Sequence, residues 1–252
     1  MSEYQRIAED LISSLALAHA PIALSFSDAP PPNVTAFDGV VPAGCSFWQQ
    51  AAAKMFYTST KDHELCAIGL YTHHLAEPSA SYQSELADVL AAMSGLDYVR
   101  AHEVAAIPVV ERAVKHVVYG PLAEFLSAPA VALLFAHARQ GLIVSEAVSR
   151  VDKGMPLAMG RPACAVVPQV INQGRAVMSL GCCGARAYLD ILADGVAMWA
   201  FPGDKLDQYC TEIVNLARAN QSLAAFHTRR KEDVAADKRP SVRQSLERLS
   251  AK

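Results

Sequence analysis

No stretch of this chain approaches the roughly 20 consecutive apolar residues that a membrane-spanning helix requires. The longest candidate, Ala128 to Ala136, has the length of a strand or a short helix. Charge of one sign is equally scarce in excess. With 22 Lys and Arg against 25 Asp and Glu, the net charge is −3, which offers no general attraction to nucleic acid or to an acidic membrane surface. The opening residues, Met1-Ser2-Glu3-Tyr4-Gln5-Arg6, lack the basic start, apolar block and cleavage site of a secretory signal. The expected compartment is the cytoplasm, and neither nucleic acid nor membrane is an expected partner. Several catalytic signatures are missing as well: G-x-G-x-x-G, the Walker loop, G-x-S-x-G and H-E-x-x-H. Gly141, Gly154 and Gly160 do not group into a phosphate cradle. The tight C-x-x-C knuckle of zinc ribbons is absent too.

What is present is a large apolar fraction, 52%, with 19% charged residues over 252 positions. That composition suits a well-packed globule of one large domain or two closely packed ones. Ile7, Leu11, Ile12 and Leu15 share the face of a first helix, and Ile22 to Phe26 alternates as a strand. Asp28 to Pro42 reads as an irregular loop, residues 46–54 as a short helix and Met55 to Thr58 as a strand. Ser84 is the expected N-cap of a helix that buries Leu86, Val89, Leu90 and Met93 and stops at Gly95. Further strands are expected at Val114–Tyr119, Val131–Phe135, Ala176–Leu180 and Val196–Phe201, with helices over Leu142–Val148 and residues 165–173, the latter ended by Gly174. Pro202-Gly203-Asp204 opens a long helix. Strands alternating with helices predict an α/β class with a mixed sheet. The last 24 residues carry eight Lys or Arg against four Asp or Glu and read as a solvated helix or loose tail, leaving residues 1–228 as the compact unit.

Within that unit the chain echoes itself. Ile22-Ala23-Leu24-Ser25-Phe26, a loop, Pro42-Ala43-Gly44-Cys45, a short helix, a strand, then Cys66, Gly69 and Tyr71 form the first pass. Val131-Ala132-Leu133-Leu134-Phe135, an insertion, Pro162-Ala163-Cys164, a short helix, a strand, then Cys182-Cys183, Gly184 and Tyr188 form the second. The halves run from about 18 to 120 and from 121 to 228. A pseudo-two-fold axis between them would bring two cysteines from each half to one centre.

Four thiolates in tetrahedral array suit an iron–sulfur cluster, above all a 4Fe-4S cluster, or zinc. Cysteines at helix starts gain from unpaired amides, which lowers a thiol's pKa, and Gly181 and Gly184 would let backbone N–H groups reach sulfur. Adjacent Cys182 and Cys183 cannot easily ligate one metal together: the Gly-Cys-x-Gly pattern selects Cys182, whereas spacing to the following tyrosine selects Cys183. A metal or cluster centre would point to redox or sulfur-handling chemistry on a small molecule. The competing reading is a non-enzymatic small-ligand-binding or regulatory module whose thiols simply pack the core, as Cys210 is expected to do on the apolar stripe of the long helix. Arg186 is a candidate clamp for an anionic group of a small substrate or, equally, a structural carbonyl clamp; Arg161 is a weaker candidate of the same kind. His73-His74 reads as an exposed loop pair, His63 as the only base near Cys66, and Trp48, Tyr71 and Tyr188 as core. A redox partner and a homo-oligomer are both compatible with the sequence.

The segments Cys45-Ser46-Phe47-Trp48, Cys66-Ala67-Ile68-Gly69, Gly160-Arg161-Pro162-Ala163-Cys164 and Ser179-Leu180-Gly181-Cys182-Cys183-Gly184-Ala185-Arg186-Ala187-Tyr188 resemble the DUF169 (ArCR) proteins of archaea and bacteria. The resemblance covers roughly residues 10 to 230. It implies a shared fold and places Cys45, Cys66, Cys164 and Cys182 at that family's cysteine positions. It implies little about activity.

Overall fold

A computed structural model describes residues 1–159, 161–189 and 192–250, with the side chains of Tyr188, Leu249 and Ser250 excepted. Among the described residues seven strands form one sheet: β1 (Ile22–Ser27), β2 (Phe56–Ser59), β3 (His116–Pro121), β4 (Val131–His137), β5 (Leu157–Met159), β6 (Val177–Ser179) and β7 (Val196–Pro202). Their order is β2-β3-β1-β4-β7-β6-β5, antiparallel throughout except for the parallel β5–β6 pair. The sheet is thus mixed, and the fold is α/β as expected.

The strand order reads the same from either side of its centre. β1 and β4 pair antiparallel through Ala23 and Ala132; β3 and β7 flank them, and β2 and β6 follow. A two-fold axis normal to the sheet between β1 and β4 therefore exchanges β1 with β4, β3 with β7 and β2 with β6. The echo extends past the strands. β5 lies parallel to the outer edge of β6, and Ala36 forms a parallel bridge to Tyr57 on β2. Both precede the first cysteine-bearing helix of their half.

Among the described residues ten α-helices surround the sheet: α1 (Glu3–Leu15), α2 (Ser46–Ala51), α3 (Ala67–His73), α4 (Ala80–Gly95), α5 (Ala101–Ala105), α6 (Ala138–Val151), α7 (Val166–Gln173), α8 (Cys183–Tyr188), α9 (Leu206–Ala235) and α10 (Val242–Ser250). Strand residues alternate between two cores because successive side chains point to opposite faces. Val131, Leu133 and Phe135 of β4 pack on one side; Ala132, Leu134 and Ala136 pack on the other. This double burial explains why β4 is apolar without interruption. Helices α1, α6 and α9 cover the second face, burying Ile7, Leu11, Val144, Val148 and Ile213. The first face carries α2, α3 and α7, with Trp48, Leu70 and Val170 fully buried. All cysteines except Cys210 lie on this side or at its rim.

Local sequence fixes several ends. The Ser2 hydroxyl accepts the Gln5 N–H at 3.1 Å to start α1, and α7 ends where Gly174 takes the left-handed conformation at φ +58°. Buried Asp152 accepts from Tyr209 Oη at 2.7 Å and from the Ala176 N–H at 3.1 Å, tying α6 to β6 and α9. Helix α4 begins after Ser79 rather than Ser84; at Ser79 the backbone turns from extended (ψ 161°) to helical without a side-chain cap bond. Its Val89, Leu90 and Met93 are only half-buried, since they face a cavity instead of solid core. Residues 229–235 continue α9, and α10 folds back on it through Arg248 to Asp233 at 2.7 Å. Among the described residues no helix is long and apolar enough to cross a membrane.

Candidate functional site

The two-fold arrangement of the sheet places four short helical starts on one face, each marked by a cysteine. Cys45 precedes α2 and Cys66 caps α3; Cys164 sits in the turn Ala163–Ala165 that enters α7, and Cys182 caps α8. Under the symmetry Cys45 matches Cys164 and Cys66 matches Cys182. These four thiols line a single cavity of about 360 Å³, with Cys183 also on its wall. Cys210 lies on the opposite face of the sheet, where its thiol points to the Ile7 carbonyl. The cap geometry distinguishes the adjacent pair. The Cys182 sulfur accepts the N–H of Ala185, three residues on, at 3.5 Å, whereas Cys66 at the start of α3 makes no such side-chain cap bond. Cys183 is exposed, and its own N–H donates to Tyr98 Oη at 3.4 Å.

The donors to sulfur are not all those expected. The amides of Gly44 and Gly69 lie near enough to Cys66 to pull its pKa downward, whereas the Gly181 N–H goes to Ser179 Oγ. Gly181 is needed for its backbone, at φ +81°. Gly69 is needed for closeness: a Cβ there would lie 3.0 Å from Cys66 Sγ.

Burial overrides the helix ends in setting thiol acidity. Burial pushes Cys45 up to about 12, with the neighbouring Cys66 and Cys182 adding to the shift. Cys66 is raised by burial against the pull of its N–H donors. Cys164 is raised furthest, by burial and then by Cys66. The expected lowering at helix starts is therefore reversed: a short helix contributes a fraction of a charge, while a water-poor site penalises the thiolate outright. Near neutral pH Cys45, Cys66 and Cys164 carry their protons unless a cation replaces them.

Beneath the cysteines lies a buried layer of aromatic and imidazole rings. His63 Nε2 donates to Thr58 Oγ1 at 2.9 Å, because that hydroxyl already donates to the Val117 carbonyl. Its Nδ1 has no partner and sits 3.5 Å from where a Gly44 Cβ would be, the same distance as Cys66 Sγ. His73 Nδ1 donates to the Gly69 carbonyl at 2.8 Å and its Nε2 is unpartnered. Tyr119 Oη, likewise unpartnered, shares this layer, its ring 6.4 Å from that of His63. Burial holds His63 far below the ordinary imidazole range and His73 at about 4, so both are neutral at physiological pH. The expected exposed histidine pair is corrected here: His74 is exposed and bonds the Val110 carbonyl, but His73 is inside, because the last turn of α3 packs onto the sheet.

Two arginines divide the roles that the sequence left open. The Arg186 guanidinium donates to the carbonyls of Leu180, Leu192, Ala193 and Val196. It closes the loop between α8 and β7, as a carbonyl clamp. Arg161 stands on the cavity wall, its guanidinium carbon 4.2 Å from the centre of the Tyr98 ring and its nearest carboxylate, Glu103, at 3.8 Å. Trp48 is core, as its apolar setting predicted, and Tyr71 packs half-buried against the same core. The Tyr188 side chain and Gly160 lie outside the described residues. Tyr98 and Ile107 complete the cavity wall; neither carries a sequence signal that separates it from ordinary core.

The donor set fits a thiolate-bound metal group in its chemistry: four thiols, a backbone N–H donated to the Cys182 sulfur, and an apolar surround. No three His, Cys, Asp or Glu side chains among the described residues are gathered so as to hold one metal ion. The sulfurs of a single tetrahedral zinc would stand about 4 Å apart, given zinc–sulfur bonds of about 2.3 Å.

A family model, DUF169, described as uncharacterised ArCR, matches residues 10–212. The chain belongs to the DUF169 family. The match takes in all seven strands and all four cysteine-bearing segments of this DUF169 protein, and ends inside α9. No curated protein and no solved structure matches the chain.

Proposed function

We propose that this DUF169 protein holds an iron–sulfur cluster on Cys45, Cys66, Cys164 and Cys182, and that the centre serves redox or sulfur-handling chemistry on a small molecule. The observation that carries the reading is the convergence of two cysteines from each half on one cavity, while Cys210 lies across the sheet. Core packing alone gives no reason for thiols at four symmetry-related helix starts to meet. When bound, such a cluster supplies one-electron chemistry tuned by hydrogen bonds to sulfur. The chain's own share is to fix the sulfurs, to direct the Ala185 N–H at Cys182, and to exclude water with apolar walls.

The test is a set of serine substitutions purified without oxygen, with iron and sulfide measured per chain. Cys45→Ser, Cys66→Ser, Cys164→Ser and Cys182→Ser each lower both, whereas Cys183→Ser and Cys210→Ser leave them near the parent value. Iron that survives each of the first four substitutions contradicts the proposal.

A further inference from the structure

The cavity beside the cysteines extends beyond what four sulfurs need. At about 360 Å³ it falls in the lower part of the range of small-molecule sites. Away from the thiols its wall is built from Val89, Leu90 and Met93 of α4, with Ile107 and Leu65. This wall is an apolar surface in search of an apolar occupant: the α4 side chains are half-buried where a helix of this composition would ordinarily be sealed into core. Arg161 is the only charged residue in the described lining, and Tyr98 supplies the only hydroxyl.

We infer that this cavity binds a small molecule with an apolar body and one carboxylate, the carboxylate being held by Arg161 above the Tyr98 ring. The inference concerns the same cavity as the proposed cluster, but it is read by binding and does not require iron. The charge count selects the ligand class. One guanidinium matches one monovalent carboxylate through a two-pronged hydrogen bond, whereas a phosphate dianion would leave charge uncompensated among apolar walls. Arg161 is placed for this role by the Tyr98 ring, 4.2 Å away, which holds the guanidinium from one face and leaves its edge for an acceptor. Its present carboxylate partner competes weakly. Glu103 stands 3.8 Å off and is itself engaged with the Arg100 N–H at 2.7 Å, capping α5, and exposed pairs of this kind contribute little.

Octanoate and 1-octanol, identical in apolar body, are the probes. Their dissociation constants are measured by calorimetry on the full chain, once on metal-free protein and once on protein purified with its iron. The parent protein binds octanoate at least tenfold more tightly than octanol. Arg161→Gln removes that preference without weakening octanol, and Arg161→Lys retains part of it. Glu103→Gln moves in the opposite direction, tightening octanoate several-fold by freeing the guanidinium. Leu90→Trp fills the cavity and abolishes both ligands, with circular dichroism melts confirming that each variant is folded. Equal affinity for the two probes, or a preference that Arg161→Gln leaves intact in a folded protein, overturns the inference. Arg161-dependent octanoate binding in a protein that never takes up iron upholds it while removing the cluster proposal; iron and sulfide in a protein blind to octanoate do the reverse.

Discussion

His73 gives the most quantitative handle on the buried layer under the cysteines. Burial holds its pKa at about 4, although the hydrogen bond to the Gly69 carbonyl pulls upward. An unfolded histidine titrates near 6.5. Above pH ~6.5 both states are neutral at this position, and the full stability is present. As pH falls below that value the unfolded chain takes up a proton that the folded chain refuses, so stability declines until the folded ring also protonates near 4. A gap of about 2.5 units at about 1.36 kcal/mol each corresponds to a loss of about 3.4 kcal/mol over that window. His63 is depressed in the same sense, so the two rings together give a slope of about 2.7 kcal/mol per pH unit near the middle of it. The assay is urea unfolding of the reduced, metal-free protein at intervals from neutral pH down to the acid limb. His73→Asn keeps a donor close to where Nδ1 meets the Gly69 carbonyl and removes the titrating group. The lost ring costs a pH-independent amount, but the acid slope of the variant falls to about half that of the parent. Parallel slopes for the two proteins would refute the placement of His73 as a neutral buried ring.

Three glycine substitutions and a labelling experiment test the surrounding packing. Gly203→Ala puts a methyl group 1.9 Å from the Pro129 carbonyl oxygen; backbone meets backbone there, and thermal melts should register a loss of about 3 kcal/mol or more. Gly44→Ala meets nothing closer than 3.5 Å and should melt within about 0.5 kcal/mol of the parent. Gly69→Ala gains about 1 kcal/mol of helix propensity yet forces Cys66 Sγ away from a contact of 3.0 Å, so the metal-free protein keeps its stability while iron content drops; unchanged iron would show that this close approach is not used. Iodoacetamide at mildly alkaline pH, followed by peptide mass mapping of the metal-free protein, should modify exposed Cys183 first and buried Cys45, Cys164 and Cys210 last.

Much of the architecture was legible where one local rule sufficed. β4 and β7 are apolar runs of strand length bounded by turn residues, and α7 stops at the glycine that alone suits a left-handed cap. Helix α3 was not legible: Ala67-Ile68-Gly69-Leu70-Tyr71-Thr72-His73 mixes strand formers with a glycine, and packing against α4 and α7 holds it helical. β5 is three residues long, and its only strand neighbour is β6, some twenty positions away. The pairing of β1 with β4 joins residues about 110 apart, so strand order lay beyond any local pattern, although the repeated segments predicted the two-fold that relates them. At the site, the echo of Cys45 and Cys66 in Cys164 and Cys182 anticipated the meeting of four thiols. It did not reveal their acidity, because desolvation depends on what α4 and α7 bring over them. Nor did it separate the two arginines. Arg186 faces four carbonyls of a loop closed by tertiary structure, and Arg161 faces a cavity built by residues up to 119 positions away.

The central claim is that the four converging thiols hold an iron–sulfur cluster, and the most direct measurement is iron and acid-labile sulfide per chain in protein purified and reconstituted without oxygen, read together with its visible spectrum. The account predicts a brown protein with iron and sulfide in matching amounts and a broad visible absorption that bleaches on reduction. A colourless protein that takes up neither iron nor sulfide under those conditions would contradict it and leave Cys45, Cys66, Cys164 and Cys182 as packing residues around an organic ligand's cavity.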